Sequence, residues 1–349
     1  MNAVPSNAEL SSAEPDPVHG LSVLPRAVVD TALAGLARES RAVVEEVYIH
    51  AAQGRLVNPD SLFLRPDPDP ARRERIIALP AYVPGENPAM GIKWISSFPG
   101  NLDLGLPRAS ALIVLNDLRT GFPTAVIEGA RISGYRTALS AVVGAHALSG
   151  GERRAGRLAV VGTGYIAATT VRELLADGWK FDSIAVHDLF PERAASFAAG
   201  FADGAGEVVA VGSTREALAG ADLVLLATTA VQPHLADPSW FAPGAVVLHM
   251  SLRDLTAEAM AGAVHVVDEV SHALRERTSL GLAVDAGLVE YADIRPVGDY
   301  LLGNARPDRS RLAVYSPFGL GSLDIAVARL VLDHTRGAEG ITTVPSFTA

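Results

Sequence analysis

A glycine-rich turn between a buried strand and a helix is the feature that most limits how this chain can fold. Residues 158–161 are apolar, the turn over 162–167 reads Gly-Thr-Gly-Tyr-Ile-Ala, and a helical pattern continues to Leu175. The first glycine permits a tight turn, the second lets the backbone approach a pyrophosphate, and the small alanine allows close helix–strand packing. The helix N-terminus offers free N–H groups to phosphate. The sequence thus predicts a dinucleotide-binding turn formed by Gly162, Thr163, Gly164, Tyr165 and Ile166.

An acidic residue at the end of the next strand strengthens this prediction. Asp188 directly follows the apolar strand predicted at 183–187. A carboxylate at this place accepts hydrogen bonds from ribose hydroxyls and repels a 2′-phosphate. Because the first cation after Asp188 is Arg193, we expect NAD rather than NADP. The alternative is a packed glycine turn in which Asp188 caps the following helix, and it explains fewer of these features.

Strands and helices alternate through the second half of the chain. Apolar runs predict strands at 157–161, 183–187, 207–211, 222–227, 245–250 and 264–267. With helices between most of them, they predict an α/β fold built on a doubly wound parallel sheet. Residues 60–130 are predicted to be largely β, and an apolar helix is predicted to begin at Thr137, beside Arg136. We expect a further apolar helix at Leu323–Leu332 and a loose end at the final Thr-Thr-Val-Pro stretch.

Composition narrows the functional classes. The chain has 349 residues and a formal net charge of −10, which argues against nucleic acid or an anionic membrane as its main partner. It has no cysteine, which excludes thiolate chemistry. It shows neither a secretory signal nor an apolar run long enough to span a membrane, so we expect a cytoplasmic protein. The nine histidines form no H-x-x-x-H or H-E-x-x-H pair, and no metal site is predicted.

Four cations stand out in the predicted β-rich part: Arg65, Lys93, Arg108 and Arg136. Apolar strand residues flank Lys93, so its amine is predicted to reach into a cleft. Taken singly, each of the four is more typical of an exposed or structural cation. Their meaning therefore depends on the longer motifs that contain them.

Several motifs in a fixed order indicate a family resemblance. They are Gly91-Ile-Lys-Trp-Ile-Ser-Ser-Phe-Pro-Gly-Asn101, Gly105-Leu-Pro-Arg-Ala-Ser110, Leu115-Asn-Asp-Leu-Arg-Thr-Gly121, Glu128-Gly129 and Arg136-Thr-Ala138, followed by the glycine-rich turn. Together they cover most of residues 60–330 and resemble the ornithine cyclodeaminase/mu-crystallin family. The segments Ser61-Leu-Phe-Leu-Arg65 and Ser251-Leu-Arg-Asp-Leu255 are most similar to its 2,3-diaminopropionate-forming branch.

The resemblance implies an interrupted architecture. A Rossmann NAD-binding domain at 140–316 is expected to be inserted in a split α+β domain at 21–139 plus 317–349, after a disordered tail at 1–20. The split domain is expected to bind substrate and to form a homodimer through its sheet. These expectations come from analogy with the family.

The resemblance also assigns roles to individual residues. It places substrate carboxylates on Arg65, Lys93 and Arg136, with Lys93 counted also as catalytic, and it places the catalytic acid on Asp254. Cyclodeaminases carry a Gly-Gly-Asp-type segment where this chain has Leu252-Arg253-Asp254, and the extra cation Arg253 suits a substrate with additional carboxylates. Fold position makes Thr228, Thr229 and Ser251 further expected cofactor contacts. Thr137, at the start of its predicted helix, is expected either to donate to the cofactor phosphates or to act as an ordinary N-cap. Gly319 is expected either near the nicotinamide or in a plain turn.

The implied reaction is the NAD-dependent oxidative cleavage of N-(2-amino-2-carboxyethyl)-L-glutamate to 2,3-diaminopropionate and 2-oxoglutarate, for siderophore or peptide-antibiotic biosynthesis. The cations hold this small, carboxylate-rich amino acid while hydride moves to NAD and leaves an imine. Asp254 is expected to take the amine proton, activate water and protonate the leaving amine. Two alternatives stay open: a lyase that converts ornithine to proline and ammonia with recycled NAD, and a non-enzymatic ligand-binding protein.

Overall fold

The structure, a computed structural model, describes residues 20–67, 69, 73–204, 206–274 and 277–347. Apart from Gly20, the predicted tail lies outside the described residues. The chain divides into two compact units, one of which holds the residues up to Arg136 and those from Leu320 onward, while the other is Thr137–Gly319. The domain boundaries implied by the resemblance, 139/140 and 316/317, each differ from this division by three residues.

The described residues include fifteen strands and eleven α-helices. The strands are β1 Leu21–Leu24, β2 Leu62–Leu64, β3 Arg75–Val83, β4 Ala89–Ser97, β5 Ala109–Asn116, β6 Pro123–Glu128, β7 Arg154–Val161, β8 Lys180–His187, β9 Glu207–Ala210, β10 Leu223–Leu226, β11 Val246–His249, β12 Val264–Val267, β13 Arg295–Pro296, β14 Ala313–Tyr315 and β15 Thr342–Val344. The helices are α1 Arg26–Gly35, α2 Ala37–Ala52, α3 Gly129–Leu148, α4 Tyr165–Ala176, α5 Pro191–Ala199, α6 Thr214–Leu218, α7 Ala257–Met260, α8 Val270–Ala273, α9 Ser279–Asp285, α10 Val297–Leu301 and α11 Gly321–His334.

The first unit contains a mixed seven-stranded sheet in the order β15-β1-β6-β5-β4-β3-β2. Strands β2 to β6 form an antiparallel meander, and β1 joins it parallel to β6. Helix α11 packs on β3, β4 and β5, so it covers one face of the sheet. The opposite face carries exposed apolar side chains, among them Leu62, 73% exposed, and Trp94, 42% exposed.

The end of the chain corrects one prediction. The stretch predicted to be a loose end forms β15, which pairs antiparallel with β1 through contacts such as Leu21 with Val344. The prediction was wrong because the partner strand lies at the other end of the chain. No local pattern of three residues reveals such a pairing.

The second unit contains eight strands in the order β13-β12-β14-β11-β10-β7-β8-β9, all paired in parallel. All six predicted strands are present, and the predicted α/β fold is confirmed. Residues 158–161 of β7 and all residues of β10 and β11 are buried, as continuous apolar runs in a parallel sheet require. Because the strands are parallel, the residues after β7, β8, β10, β11 and β12 all lie at one edge of the sheet. Open α/β sheets bind their ligands at this carboxyl edge.

Helix α3 corrects a second prediction. It begins at Gly129 rather than Thr137, because the Glu128 carboxylate accepts hydrogen bonds from the amides of Ala130, at 3.0 Å, and Arg131, at 3.1 Å. The sequence does not indicate this start, because the glycines and the serine in the first turns have low helix propensity. Burial of the helix outweighs that low propensity. Thr137 therefore lies inside the helix, and the prediction that the helix begins there was wrong. The expected contact of Thr137 with the cofactor stays a prediction.

Candidate active site

The glycine-rich turn has the shape that a pyrophosphate requires. Gly162 has φ +88°, and a Cβ atom there would lie 2.6 Å from the carbonyl oxygen of Ala227, so only glycine fits. Gly164 directly precedes α4, and a Cβ atom there would meet nothing within 4 Å. The space beside Gly164 is therefore open to a ligand, and the first N–H groups of α4 have no partner within the helix. These residues fit the phosphates of a dinucleotide.

Asp188 is fixed by the same turn. Its Oδ2 accepts hydrogen bonds from the Thr163 amide, at 2.9 Å, and hydroxyl, at 2.7 Å, while Oδ1 accepts one from the Phe190 amide at 3.1 Å. Burial alone would raise the pKa of Asp188, but these hydrogen bonds outweigh it and hold the pKa below its ordinary value. A carboxylate offers about four acceptor positions, so one remains for a ribose hydroxyl.

A groove runs along α5 and reaches Thr163, the residue that donates hydrogen bonds to Asp188. Its lining residues are Thr163, Glu192, Arg193, Ser196 and Phe197. The guanidinium of Arg193 lies 4.5 Å from the centre of the Phe190 ring, and its charge adds to the lowering of the Asp188 pKa. The first cation after Asp188 thus faces the carboxylate that is expected to select NAD.

Two of the predicted cations meet at a buried acid in the first unit. Lys93 Nζ lies 2.6 Å from Asp324 Oδ2 and 3.2 Å from the Ser133 hydroxyl, and Arg136 Nε lies 3.2 Å from Asp324 Oδ1. Burial lowers the pKa of Lys93 to about 8, with Arg136 adding to the effect and Asp324 opposing it. The cluster therefore contains two cations and one anion, with its residues fully or nearly fully buried.

Arg65 and Arg108 occupy more open positions. Arg65 follows β2 and is exposed, with its guanidinium 5.0 Å from the centre of the Phe63 ring. Phe63 pairs with Ile77, and Ile77 pairs with Ile95. The Phe63 side chain therefore lies on the sheet face that carries Lys93. Arg108 donates from Nε to the Ser97 hydroxyl at 3.3 Å.

Asp254 is the centre of a polar cluster in the second unit. It is fully buried, and its carboxylate accepts hydrogen bonds from the hydroxyls of Thr228 and Ser251. His249 Nε2 lies 3.2 Å from both the Asp254 carboxylate and the Asp254 amide, so it satisfies one of them in either tautomer. Burial alone would raise the pKa of Asp254, but hydrogen bonds from His249, Ser251 and Thr228 hold it below its ordinary value. The two hydroxyl residues are half-buried, while the acid is not exposed.

The segment before Asp254 has a strained backbone. Leu252 adopts φ +66°, a conformation that favours glycine, at the position where the resemblance predicts a departure from a glycine pair. Its carbonyl accepts a hydrogen bond from the Ser279 amide at 2.8 Å. Arg253 is half-buried and donates from Nε to the Arg277 carbonyl at 3.2 Å. The segment is therefore held from both sides in a fixed conformation.

The remaining predicted cofactor residues lie at the carboxyl edge of the second sheet. Thr228 and Thr229 follow β10, Ser251 follows β11, and Gly319 follows β14. Ser251 also donates to the Leu226 carbonyl at 3.0 Å, and Thr229 is exposed. Gly319 has φ +101° and donates its amide to Asp268 at 2.5 Å.

Sequence reasoning missed Asp324, Ser133, His249 and Asp268. A signal exists for two of them, since Asp324 interrupts the predicted apolar helix at 323–332 and His249 interrupts the predicted apolar strand at 245–250. A polar residue in such a run is buried and needs a partner. The partner's identity depends on contacts across the fold, which the run itself does not contain.

The described residues offer no metal site, because no group of three or more histidine, aspartate or glutamate side chains among them could hold a metal ion. Among the described helices, none combines the length and apolar character that crossing a bilayer requires.

Comparison with known proteins places this geometry in a family. The model of the ornithine cyclodeaminase/mu-crystallin family matches residues 28–339. N-((2S)-2-amino-2-carboxyethyl)-L-glutamate dehydrogenase of Staphylococcus aureus is 29% identical over 303 residues, covering 84% of this chain and 89% of that protein. The predicted family is therefore confirmed.

Two solved structures share the fold. The crystal structure of CmnK has a TM-score of 0.81 and 29% identity, covering 95% of this chain and 100% of that one. Delta(1)-pyrroline-2-carboxylate reductase of Thermococcus litoralis, solved with NADH and L-proline, has a TM-score of 0.83 and 23% identity, covering 92% of this chain and 99% of that one. Both matches extend over nearly the whole chain.

Proposed function

Because the chain belongs to the ornithine cyclodeaminase/mu-crystallin family, we propose that it is an NAD-dependent dehydrogenase that cleaves N-(2-amino-2-carboxyethyl)-L-glutamate. The products are 2,3-diaminopropionate, a building block for siderophores or peptide antibiotics, and 2-oxoglutarate. The similarity to the Staphylococcus aureus dehydrogenase supports this substrate. The observation that carries the proposal is the buried cluster of Lys93, Arg136 and Asp324.

The charges of this cluster favour a substrate rich in carboxylates. Asp324 neutralises one of the two cations, so the cluster retains one positive charge for one substrate carboxylate. Arg65, an exposed residue that directly follows β2, is the proposed second cation of this unit. The proposed substrate has three carboxylates, whereas ornithine and alanine have one. A second cation can therefore bind a further carboxylate of the proposed substrate, whereas ornithine and alanine have no further carboxylate to bind.

The nucleotide-binding residues of the second unit form the cofactor site. The turn at Gly162 and Gly164 and the first amides of α4 would hold the pyrophosphate, and Asp188 would accept a hydrogen bond from a ribose hydroxyl. Thr228, Thr229, Ser251 and Gly319, at the carboxyl edge of the same sheet, would contact the rest of the dinucleotide. A bound NAD would supply the acceptor for a hydride from the substrate carbon that bears the nitrogen.

Asp254 is the proposed acid–base group, and its surroundings suggest how it acts. Since the carboxylate is fully buried, it exchanges protons through a half-buried hydroxyl, that of Ser251 or Thr228. The hydroxyl takes the proton from the substrate amine and passes its own to Asp254. Water then adds to the imine carbon and gives up a proton by the same route, and the route in reverse returns a proton to the amine as the C–N bond breaks. His249 fixes the orientation of the carboxylate.

The uncovered face of the first sheet is the proposed dimer interface. Leu62, Ala78, Trp94 and Leu112 form one row across β2 to β5, and the three large side chains are exposed. A contiguous apolar face of this kind is typical of a protein–protein interface. We expect the wild-type protein to sediment as a dimer and Trp94→Glu to sediment as a monomer. A monomeric wild type, or a Trp94→Glu variant that stays dimeric, contradicts this interface.

One assay tests the proposed reaction against its alternatives. The protein is incubated with NAD and, separately, the proposed substrate, ornithine and alanine, while NADH absorbance and ammonia release are followed. The proposal predicts NADH without ammonia, for the proposed substrate alone. Ammonia from ornithine without net NADH indicates a cyclodeaminase-type lyase. Neither product with any substrate indicates a binding protein.

A further inference from the structure

One buried carboxylate at the edge of the second sheet has no role in the reaction described above. Asp268 directly follows β12 and is 1% exposed. Its Oδ1 accepts hydrogen bonds from the amides of Glu269, at 2.9 Å, and Phe318, at 3.1 Å, and its Oδ2 accepts one from the Gly319 amide at 2.5 Å. A buried carboxylate that accepts three backbone amides fixes the conformation of the loop that supplies two of them.

These hydrogen bonds determine where two carbonyl groups point. The described peptide bonds are trans, and a trans peptide directs its C=O opposite to its N–H. Because the amides of Phe318 and Gly319 point at Asp268, the carbonyl oxygens of Pro317 and Phe318 point away from it. The positive φ of Gly319 permits this pair of orientations at the turn.

The loop lies on the side of the sheet where the second half of a dinucleotide extends. Asp188, the expected ribose contact of the adenosine half, follows β8 on one side of β7. In a doubly wound sheet of this order, the other half of a bound dinucleotide would lie over the strands on the opposite side of β7, which are β10, β11 and β14. The Pro317–Gly319 loop follows β14 at this carboxyl edge.

We propose that Asp268 is a positioning residue that directs the Pro317 and Phe318 carbonyls at the carboxamide NH₂ group of the nicotinamide. This inference rests on the proposed function, because it assumes that NAD is the cofactor. A carboxamide nitrogen has two hydrogens to donate, and two parallel acceptors fit it. The loop thereby recognises the nicotinamide ring by its amide donors.

A cofactor analogue isolates this contact. In 3-acetylpyridine adenine dinucleotide a methyl group replaces the carboxamide NH₂, so the two donors are lost while the remainder of the molecule is the same. We expect the wild-type protein to bind NAD about tenfold more tightly than the analogue, measured by calorimetric titration, which is the effect of one or two hydrogen bonds. This measurement needs no substrate and no turnover.

Asp268→Asn tests the role of the carboxylate. The asparagine oxygen can still accept the amides of Glu269 and Phe318, but its NH₂ group then faces the Gly319 amide, donor against donor. We expect the preference for NAD over the analogue to fall to about twofold or less. General destabilisation weakens the binding of both dinucleotides alike and leaves the ratio of their dissociation constants unchanged. A change in this ratio therefore reports on the position of the loop.

Asp222→Asn is the matched control. Asp222 accepts the Arg157 amide at 3.0 Å, but it precedes β10 and so lies at the opposite edge of the same sheet. It should keep the wild-type ratio. A wild-type ratio near one, or a ratio that Asp268→Asn leaves unchanged, overturns the proposal, and the wild-type ratio alone decides if the variant does not fold. Failure of the wild type to bind NAD at all overturns the proposed function itself.

Discussion

Each unit of this protein buries a carboxylate, and the two are surrounded by partners of different kinds. In the first unit, Asp324 lies between the cations of Lys93 and Arg136. In the second, Asp254 accepts hydrogen bonds from two hydroxyl groups and lies beside a histidine. Both acids have an exposed fraction of 0%.

The difference separates binding from proton transfer. Two fixed cations around one acid form a rigid ion cluster whose remaining positive charge attracts an anion. Hydroxyl groups can rotate and can exchange a proton with the acid that they contact. We therefore assign substrate binding to the first cluster and acid–base chemistry to the second.

The largest effect is expected from Asp254→Asn. An asparagine can still accept a hydrogen bond from one hydroxyl and donate one to the other, but it cannot take up a proton, so kcat should fall about 10²- to 10⁴-fold. The dissociation constant for NAD should stay within about twofold. Steady-state kinetics and NAD titration measure the two quantities, and a kcat within tenfold of the wild type would remove Asp254 from the proton-transfer role.

Ser251→Ala sharpens the same assignment. If the Ser251 hydroxyl carries the proton to the buried acid, its loss lowers kcat while Thr228 provides the remaining route. Thr228→Ala is the matched variant. Full activity in the double variant would contradict transfer through a hydroxyl.

Asp324→Asn should have the next largest effect, on stability. Its removal leaves Lys93 and Arg136 buried without a counter-charge, which costs about 3–5 kcal/mol in the free energy of unfolding. Asp254→Asn leaves no cation unpaired and should cost about 1–3 kcal/mol. Urea unfolding of both variants measures these losses in the free energy of unfolding. A larger loss for Asp254→Asn than for Asp324→Asn would contradict the assignment.

Asp188→Ala should weaken NAD binding about tenfold by removing an acceptor for the ribose. It should also narrow the preference for NAD over NADP, because Arg193 remains to attract a 2′-phosphate. Titration with both cofactors measures this. Asp182→Ala is the control, since Asp182 belongs to β8, the strand that precedes Asp188, but is 61% exposed and pairs with Arg154. Tighter binding of NADP by the wild type would reverse the cofactor assignment.

The smallest predicted effect is a pH dependence of substrate binding. The pKa of Lys93 is lowered to about 8, so the residue is charged below this pH and loses its charge above it. Loss of that cation weakens the binding of a carboxylate, and KM should rise about fivefold between pH 8 and 9. Lys93→Arg, which keeps its charge throughout, should flatten this rise. A KM that stays constant over this range in the wild type would contradict the binding role of Lys93.

The sequence predicted the second unit better than the first for a physical reason. Its strands are continuous apolar runs and its turn requires glycine at 162, so short segments contain most of the information. In the first unit, by contrast, β15 depends on β1 at the other end of the chain, and the start of α3 depends on a cap by Glu128.

The candidate site divides in the same way. Lys93, Arg136 and Asp254 were identified from motifs, whereas Asp324 was not, because it lies 231 residues from Lys93 and 188 residues from Arg136 in sequence. Without Asp324 the cluster was expected to be purely cationic. Its charge balance became visible only in the folded chain.

The most direct test of the account is the stoichiometry of the proposed reaction. Purified protein is given NAD and N-(2-amino-2-carboxyethyl)-L-glutamate, and NADH, 2-oxoglutarate and 2,3-diaminopropionate are quantified together. The account predicts equal amounts of all three and no ammonia. NADH formation without 2-oxoglutarate, or consumption of the substrate without NADH, would contradict it.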